Sequence, residues 1–207
     1  MRTDMSTTTC NALVLKCAAE CPAGTARRWH EALTLCQPTP NHLQSALTHR
    51  AENGTPMQYV YVHFSEAVHI SADDCTAFEK IWLALTGHEA QVSRLQAMMH
   101  LGVSHPPEAA YTHYVVETDP EAGWDTEIFK WYDEEHMPGL SRVPGCLVAR
   151  RYLNLDHSPR SFACYDLESL DVLKTDAWLA VRASAWSDIC RPHFTNTLRT
   201  QFQSVER

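Results

Sequence analysis

Two periodicities take turns along the chain, and their order is the first thing it reveals. The stretch AYTHYVVETD (110–119) is rich in β-branched and aromatic residues, which predicts a strand. After a turn at 120–123, the segment WDTEIFKWYDEEHMPGL places Trp124, Ile128, Trp131 and Tyr132 at spacings of three and four, with Phe129 beside them. That spacing predicts a helix, which Pro138 and Gly139 are expected to end. GCLVARRYLNL (145–155) and SFACYDLE (161–168) predict two strands joined through the polar turn DHSPR. A second helix over about 170–190 and an alternating strand in FTNTLRTQFQSV complete the order β-α-β-β-α-β.

The first half follows the same plan. NALVLKC predicts a strand, AGTARRWHEALTLC a helix and HLQSALTHR a strand; Asn53-Gly54 is a hairpin signal, MQYVYVHFSE the returning strand and ADDCTAFEKIWLAL a helix. QVSRLQAMMHL fits a last strand and equally a helix. GVSHPPEAA (102–110) reads as a linker, so the expected organisation is one repeat over 8–101, a linker over 102–109 and a second repeat over 110–207. The fold class is α+β: two tandem ferredoxin-like βαββαβ repeats. One such sheet carries helices on a single face and leaves the other bare. Pressing two bare faces together is expected to give an intramolecular α+β barrel, a pseudo-dimer, with a central cavity for a small ligand.

Composition narrows the partners. The net charge of −8 comes with no basic stripe, so nucleic acid is not expected. No apolar run reaches the ~18–20 residues of a membrane span. The apolar stretch near the start is interrupted by Lys16, and the expected location is cytoplasmic. Eight cysteines without a Cys-x-x-Cys are expected to be reduced, mostly buried thiols, with no zinc.

WYDEEHMPGLSRVPGCLVARRY resembles a pattern of the dimeric α+β barrel superfamily, which includes the EthD-like proteins. There an aromatic-rich first helix ends in Glu-His-aliphatic-Pro, and a Pro-Gly leads into a strand ending Arg-Tyr or Arg-Phe. The matching residues are Trp131, Tyr132, Glu135, His136, Pro138, Pro144, Gly145, Arg151 and Tyr152. The motif covers about a tenth of the chain, while the repeat architecture extends the likeness to nearly all of it. It implies a cofactor-independent lyase or isomerase (dehydratase, decarboxylase or cyclase type) using histidine acid–base catalysis on a small aromatic or polyketide-like carbonyl compound. Rivals are a cofactor-free monooxygenase on the same fold, haem chemistry with a histidine as axial ligand, and a non-catalytic small-molecule-binding protein. The implied partner is a small-molecule substrate, without membrane or nucleic acid, and a homodimer is compatible. Aligning Trp29 with Trp131 or Tyr132 puts Thr34 or Leu33 opposite His136, which implies one complete site per chain.

His136 leads the candidates, because imidazole exchanges protons near neutrality. Asp133, Glu134, Glu135 and the helix C-terminus are expected to raise its pKa; the alternative is a surface charge at a helix end. Successive helical residues point about 100° apart, so Glu135 is expected near His136 while Asp133 and Glu134 are solvated. No second histidine stands at ligand spacing, and no metal is expected. In MQYVYVHFSE, Tyr59, Tyr61 and His63 share one face, opposite Val60, Val62 and Phe64. Tyr61 and His63 join His136 as catalytic candidates and Tyr59 as a substrate contact, the phenols donating to a carbonyl or oxyanion. In CLVARRYL, Arg150 and Tyr152 are expected to face the cavity and Arg151 to point outward near a sheet edge. A buried Arg150 needs an anion, supplied by a ligand carboxylate, Asp166 or Glu117. His113 and Trp131 complete the substrate-binding set. Trp178 and Trp186, eight apart, read as core or as a partner-helix interface.

Overall fold

The computed structural model describes residues 7–36, 43–51, 56–102 and 111–206. The Asn53-Gly54 turn and the linker beyond Gly102 lie outside the described residues. The chain divides into two compact units, one running to Gln96 together with Ser204–Arg207, the other Ala97–Gln203.

In the first unit the elements are β1 (Thr7–Cys17), α1 (Thr25–Cys36), β2 (Leu43–Ala51), β3 (Gln58–Ser71), α2 (Ala72–Thr86) and β4 (Ala90–Gly102). β1 pairs with β3 and β4, and β3 with β2, all antiparallel, giving the ferredoxin-like order β4-β1-β3-β2. As a central strand β1 is apolar on both faces, and Leu13, Val14 and Leu15 are all buried. The helices meet through Trp29 and Trp82, edge to face at 6.0 Å, with Trp29 Nε1 donating to the carbonyl of Phe78 at 3.0 Å. The ambiguous segment is a strand. Its Gln, Ala, Met and Leu residues favour helix, but pairing of Ala90–Leu95 with β1 overrides that weak preference.

α2 starts at a capping box: Asp74 N–H donates to Ser71 Oγ at 3.1 Å and Ser71 N–H to Asp74 Oδ2 at 2.8 Å. Ser71→Ala is expected to cost about 1 kcal/mol, read as a lower midpoint in urea unfolding with an unchanged slope.

The second unit contains β5 (Thr112–Pro120), α3 (Asp125–Trp131), α4 (Met137–Ser141), β6 (Cys146–Asn154), β7 (Ser161–Leu167), α5 (Asp176–Arg182), α6 (Ala185–Cys190) and β8 (Phe194–Glu206). Its strand order, β8-β5-β7-β6, repeats that of the first unit. The single helix expected over 170–190 is instead a 3₁₀ turn at Leu170–Lys174 followed by two short helices. Thr175 and Ser184 are extended residues whose hydroxyls accept from Trp178 N–H and Ser187 N–H, so each ends one segment and caps the next. Trp178 and Trp186 therefore stand on different helices. Among the described residues no helix is long and apolar enough to cross a membrane.

Candidate active site

The register of the second sheet decides which side chains meet. Tyr114 lies opposite Tyr165, Val116 opposite Ala163, and Ala149 opposite Tyr165. These residues share the face on which the helices pack, and the alternate residues, His113, Arg150, Tyr152 and Asp166, occupy the other face.

On the helix face the backbone departs from the predicted helix. α3 gives way at Tyr132–His136 to one turn of π-helix, in which Met137 N–H reaches the carbonyl of Tyr132 five residues back. In a continuous α-helix Trp131 and His136 would stand about 140° apart around the axis. The wider turn brings them onto one face, where their rings stack at 4.1 Å and 25°, with Tyr132 edge-on to the imidazole at 5.7 Å. Pro138 does not end the helix. It sits in the first turn of α4, where its missing N–H costs little, and α4 continues to Ser141. Gly139 is required for close packing: a Cβ there would lie 2.8 Å from Val181 of α5.

The acids of the π-turn point away from His136. Asp133 accepts from Arg151 Nη1 at 2.7 Å, and Glu135 accepts from Ser184 Oγ. Arg151 was expected outward at a sheet edge; it is instead fully buried on the helix face, its guanidinium 4.4 Å from the Phe129 ring and 5.1 Å from Tyr132. The one-residue alternation that turns Arg150 to one face sends Arg151 into the helix layer, where Asp133 and two rings receive it.

The expectation of a raised His136 pKa is reversed. Burial drives it from its usual value down to about 3, and the nearby Arg182 and Arg191 guanidiniums push the same way. At neutral pH the ring is uncharged, and its buried Nδ1 has no hydrogen-bond partner among the described residues.

His136 forms part of the wall of a recess lined by residues of the second unit, among them Tyr114 and Tyr165 from the sheet, Trp131, Tyr132 and Trp178 from the helix layer, and Phe194. The recess is a small slot of about 30 Å³. Aromatic contacts set its shape: Tyr114 and Tyr165 are stacked 6.1 Å apart, and Trp178 meets Tyr165 edge-on at 5.2 Å. Burial raises the pKa of Tyr114, Tyr132 and Tyr165, so all three remain protonated phenols. The indole nitrogens of Trp131 and Trp178 are buried and, like His136 Nδ1, lack a partner. Arg182, Arg191 and Arg199 complete the lining.

The remaining sequence candidates lie elsewhere. Arg150 and His113 both serve Asp166, Nη1 donating to Oδ2 at 2.6 Å and Nδ1 to Oδ1 at 2.7 Å. Of the anions considered for Arg150, Asp166 is therefore one that it holds. Tyr152 is buried on that same face, across the sheet from the recess. In the first unit Tyr59, Tyr61 and His63 form a row on one face of β3, Tyr61 and His63 stacked 6.1 Å apart and Tyr59 beneath Lys16 Nζ at 5.0 Å. Of the expected residues, then, the recess brings together His136 and Trp131. Sequence reasoning missed Trp178, Tyr165 and the three arginines; alternation in SFACYDLE marks Tyr165 as facing away from Asp166, but nothing in the sequence says which face bears the slot.

Comparison with solved structures fits this architecture. A candidate monooxygenase of Fusobacterium nucleatum superposes with a TM-score of 0.62 over 95% of this chain and 93% of its own, at 8% identity. An anthrone oxidase-like protein gives 0.58 over 95% and 92%, at 14% identity. A candidate monooxygenase of Lactobacillus acidophilus gives 0.60 over 94% and 93%, at 8% identity. What they share with this chain is the fold. The ferredoxin-like α+β architecture spans nearly the whole length on both sides of each comparison. No protein-family model matches the chain, and no curated protein sequence matches it. At such identities the ferredoxin-like fold carries over and side-chain chemistry does not.

Proposed function

We propose that the protein is a cofactor-independent enzyme of the EthD-like kind, which removes a proton from a small, planar, oxygen-bearing carbonyl compound with His136 as the base. The observation that carries this reading is the unpartnered Nδ1 of a buried, neutral imidazole in an aromatic slot. Leaving such a group unsatisfied costs stability, which a ligand recovers on binding. The Trp131 and Trp178 indoles supply N–H donors for a substrate oxygen, and the flat aromatic walls suit a conjugated ring.

The proton leaves an O–H or activated C–H bond of the substrate for the imidazole, and the electron pair stays on the substrate as a phenolate or enolate. Burial and two guanidiniums suppress protonation of His136. An oxyanion beside the ring replaces that repulsion with attraction, and the imidazolium forms stacked on Trp131. Reprotonation at another atom, or loss of a leaving group, makes the reaction an isomerisation or a lyase step. Capture of the same carbanion by dioxygen and a proton gives a hydroperoxide, whose loss of water leaves one oxygen atom as a carbonyl and makes the reaction a monooxygenation, a second reading that the names of the structural neighbours favour. Tyr59, Tyr61, His63, Tyr152 and the Arg150–Asp166–His113 group take no part in either.

The test is turnover against a panel of hydroxyaromatic ketones, followed in an oxygen electrode. His136→Ala is expected to lower kcat by about 10²–10⁴-fold in a protein with unchanged circular dichroism. Oxygen uptake matching product selects the oxygenase branch, and its absence the lyase or isomerase branch. Full turnover by the variant, or tight binding with no conversion by the wild type, overturns the proposal.

A further inference from the structure

Three cations of an acidic chain converge on one slot. Arg182 ends α5, Arg191 follows α6 and Arg199 lies on β8, so their meeting is a product of the tertiary fold and not a stripe along one solvated helix. None of the three forms an ion pair among the described residues. Arg191 Nη1 donates instead to the carbonyl of Arg182 at 3.4 Å, and the charges of Arg199, Arg182 and Arg191 all favour the ionised form of the Tyr114 phenol against burial. Burial, followed by the charges of Arg182 and Arg199, lowers the pKa of Arg191, with Asp188 acting in the opposite direction. Of the acids that precede His136 in sequence, Asp133 is held by Arg151 and Glu135 by Ser184.

We infer that the substrate is an aromatic acid, whose carboxylate or equivalent oxyanion Arg182, Arg191 and Arg199 hold while its ring enters the slot and a hydroxyl or carbonyl oxygen meets the Trp131 and Trp178 indoles. This rests on the slot being the binding site proposed above and adds the charge of what it binds. Guanidiniums pair with carboxylates through two parallel hydrogen bonds; Arg182 and Arg191 are half-buried and Arg199 is exposed. Burial, and then two of these cations, Arg182 and Arg191, disfavour a proton on His136, and an acid docked on the two guanidiniums offsets their share of that effect.

The probes are benzoate, salicylate and 2-naphthoate, each against its neutral amide, with binding followed by quenching of tryptophan fluorescence and by thermal shift. Each acid that fits is expected to bind about tenfold or more tightly than its amide, and the preference is expected to shrink as salt rises. Arg182→Gln/Arg191→Gln is expected to bring acid and amide within about threefold of each other. His136→Ala is expected to keep the preference for acids, which separates this inference from the base assignment. Equal binding of acids and amides, no binding by any probe, or a preference that survives in the double variant overturns it. A preference that stands while His136→Ala keeps full turnover sinks the base assignment alone.

Discussion

Asp166→Asn is expected to destabilise the protein by about 3–5 kcal/mol, the largest single-residue effect argued from this structure. Asp166 is fully buried, and its two carboxylate oxygens are held by buried Arg150 and His113. Asparagine preserves the shape and can still accept one hydrogen bond, but it leaves the Arg150 guanidinium charged with no counter-ion. Burial works against that charge, and it is Asp166 that holds the Arg150 pKa above its usual value in spite of it. For a chain of this size the loss corresponds to a Tm lower by about 6–20 °C. Removing the charge as well, in Arg150→Met/Asp166→Asn, is expected to recover at least half of the loss, because a buried ion pair exceeds an apolar replacement of its volume by little or nothing. Thermal or urea unfolding of the single and double variants checks both statements. A shift below about 2 °C would show that the pair is screened or dispensable, and no recovery in the double variant would show that the unpaired Arg150 charge is not the source of the loss.

The second large effect is a dependence of stability on acid that belongs to His136. Its folded-state pKa, near 3, lies below its unfolded value because burial, then Arg182 and Arg191, oppose the charge. Between pH 6.5 and 3 the unfolded chain binds a proton that the folded protein does not. The associated stability is complete above the unfolded pKa and is lost as pH falls towards 3, at up to ~1.4 kcal/mol per pH unit. By pH 4 the loss is roughly 3 kcal/mol. Carboxylates titrate in the same window, so the measurement is a difference: unfolding free energies of wild type and His136→Gln between pH 7 and 4. The wild-type advantage is expected to shrink by that amount; parallel profiles would mean that the ring is solvated in the folded state.

Much of the architecture was readable from periodicity. Alternation in SFACYDLE and CLVARRYL predicted strands that form, and the three-and-four spacing from Trp124 to Tyr132 predicted the helix that opens the second unit. Opposition of Arg150 and Arg151 across one strand was implied by the same alternation. The errors fall where local pattern is incomplete. Pro138 and Gly139 carry the composition of a helix stop, but Pro138 is harmless in a first turn, and Gly139 answers to Val181, some forty residues on. The acids preceding His136 suggested a raised pKa because sequence adjacency was taken for proximity. A π-turn rotates the ring away from them and against Trp131.

The sequence by itself determined the order of most elements and the ferredoxin-like class, because these depend on spacings within about a dozen residues, and the resemblance of its motif singled out His136. Tertiary structure decided which face of the second sheet carries the slot, that Asp166 occupies Arg150, and that Arg182, Arg191 and Arg199 stand around a neutral imidazole. The reason is physical: period-2 alternation names two faces without saying what covers either, and a site charge is a sum over groups that only chain crossing brings within a few ångströms of one another.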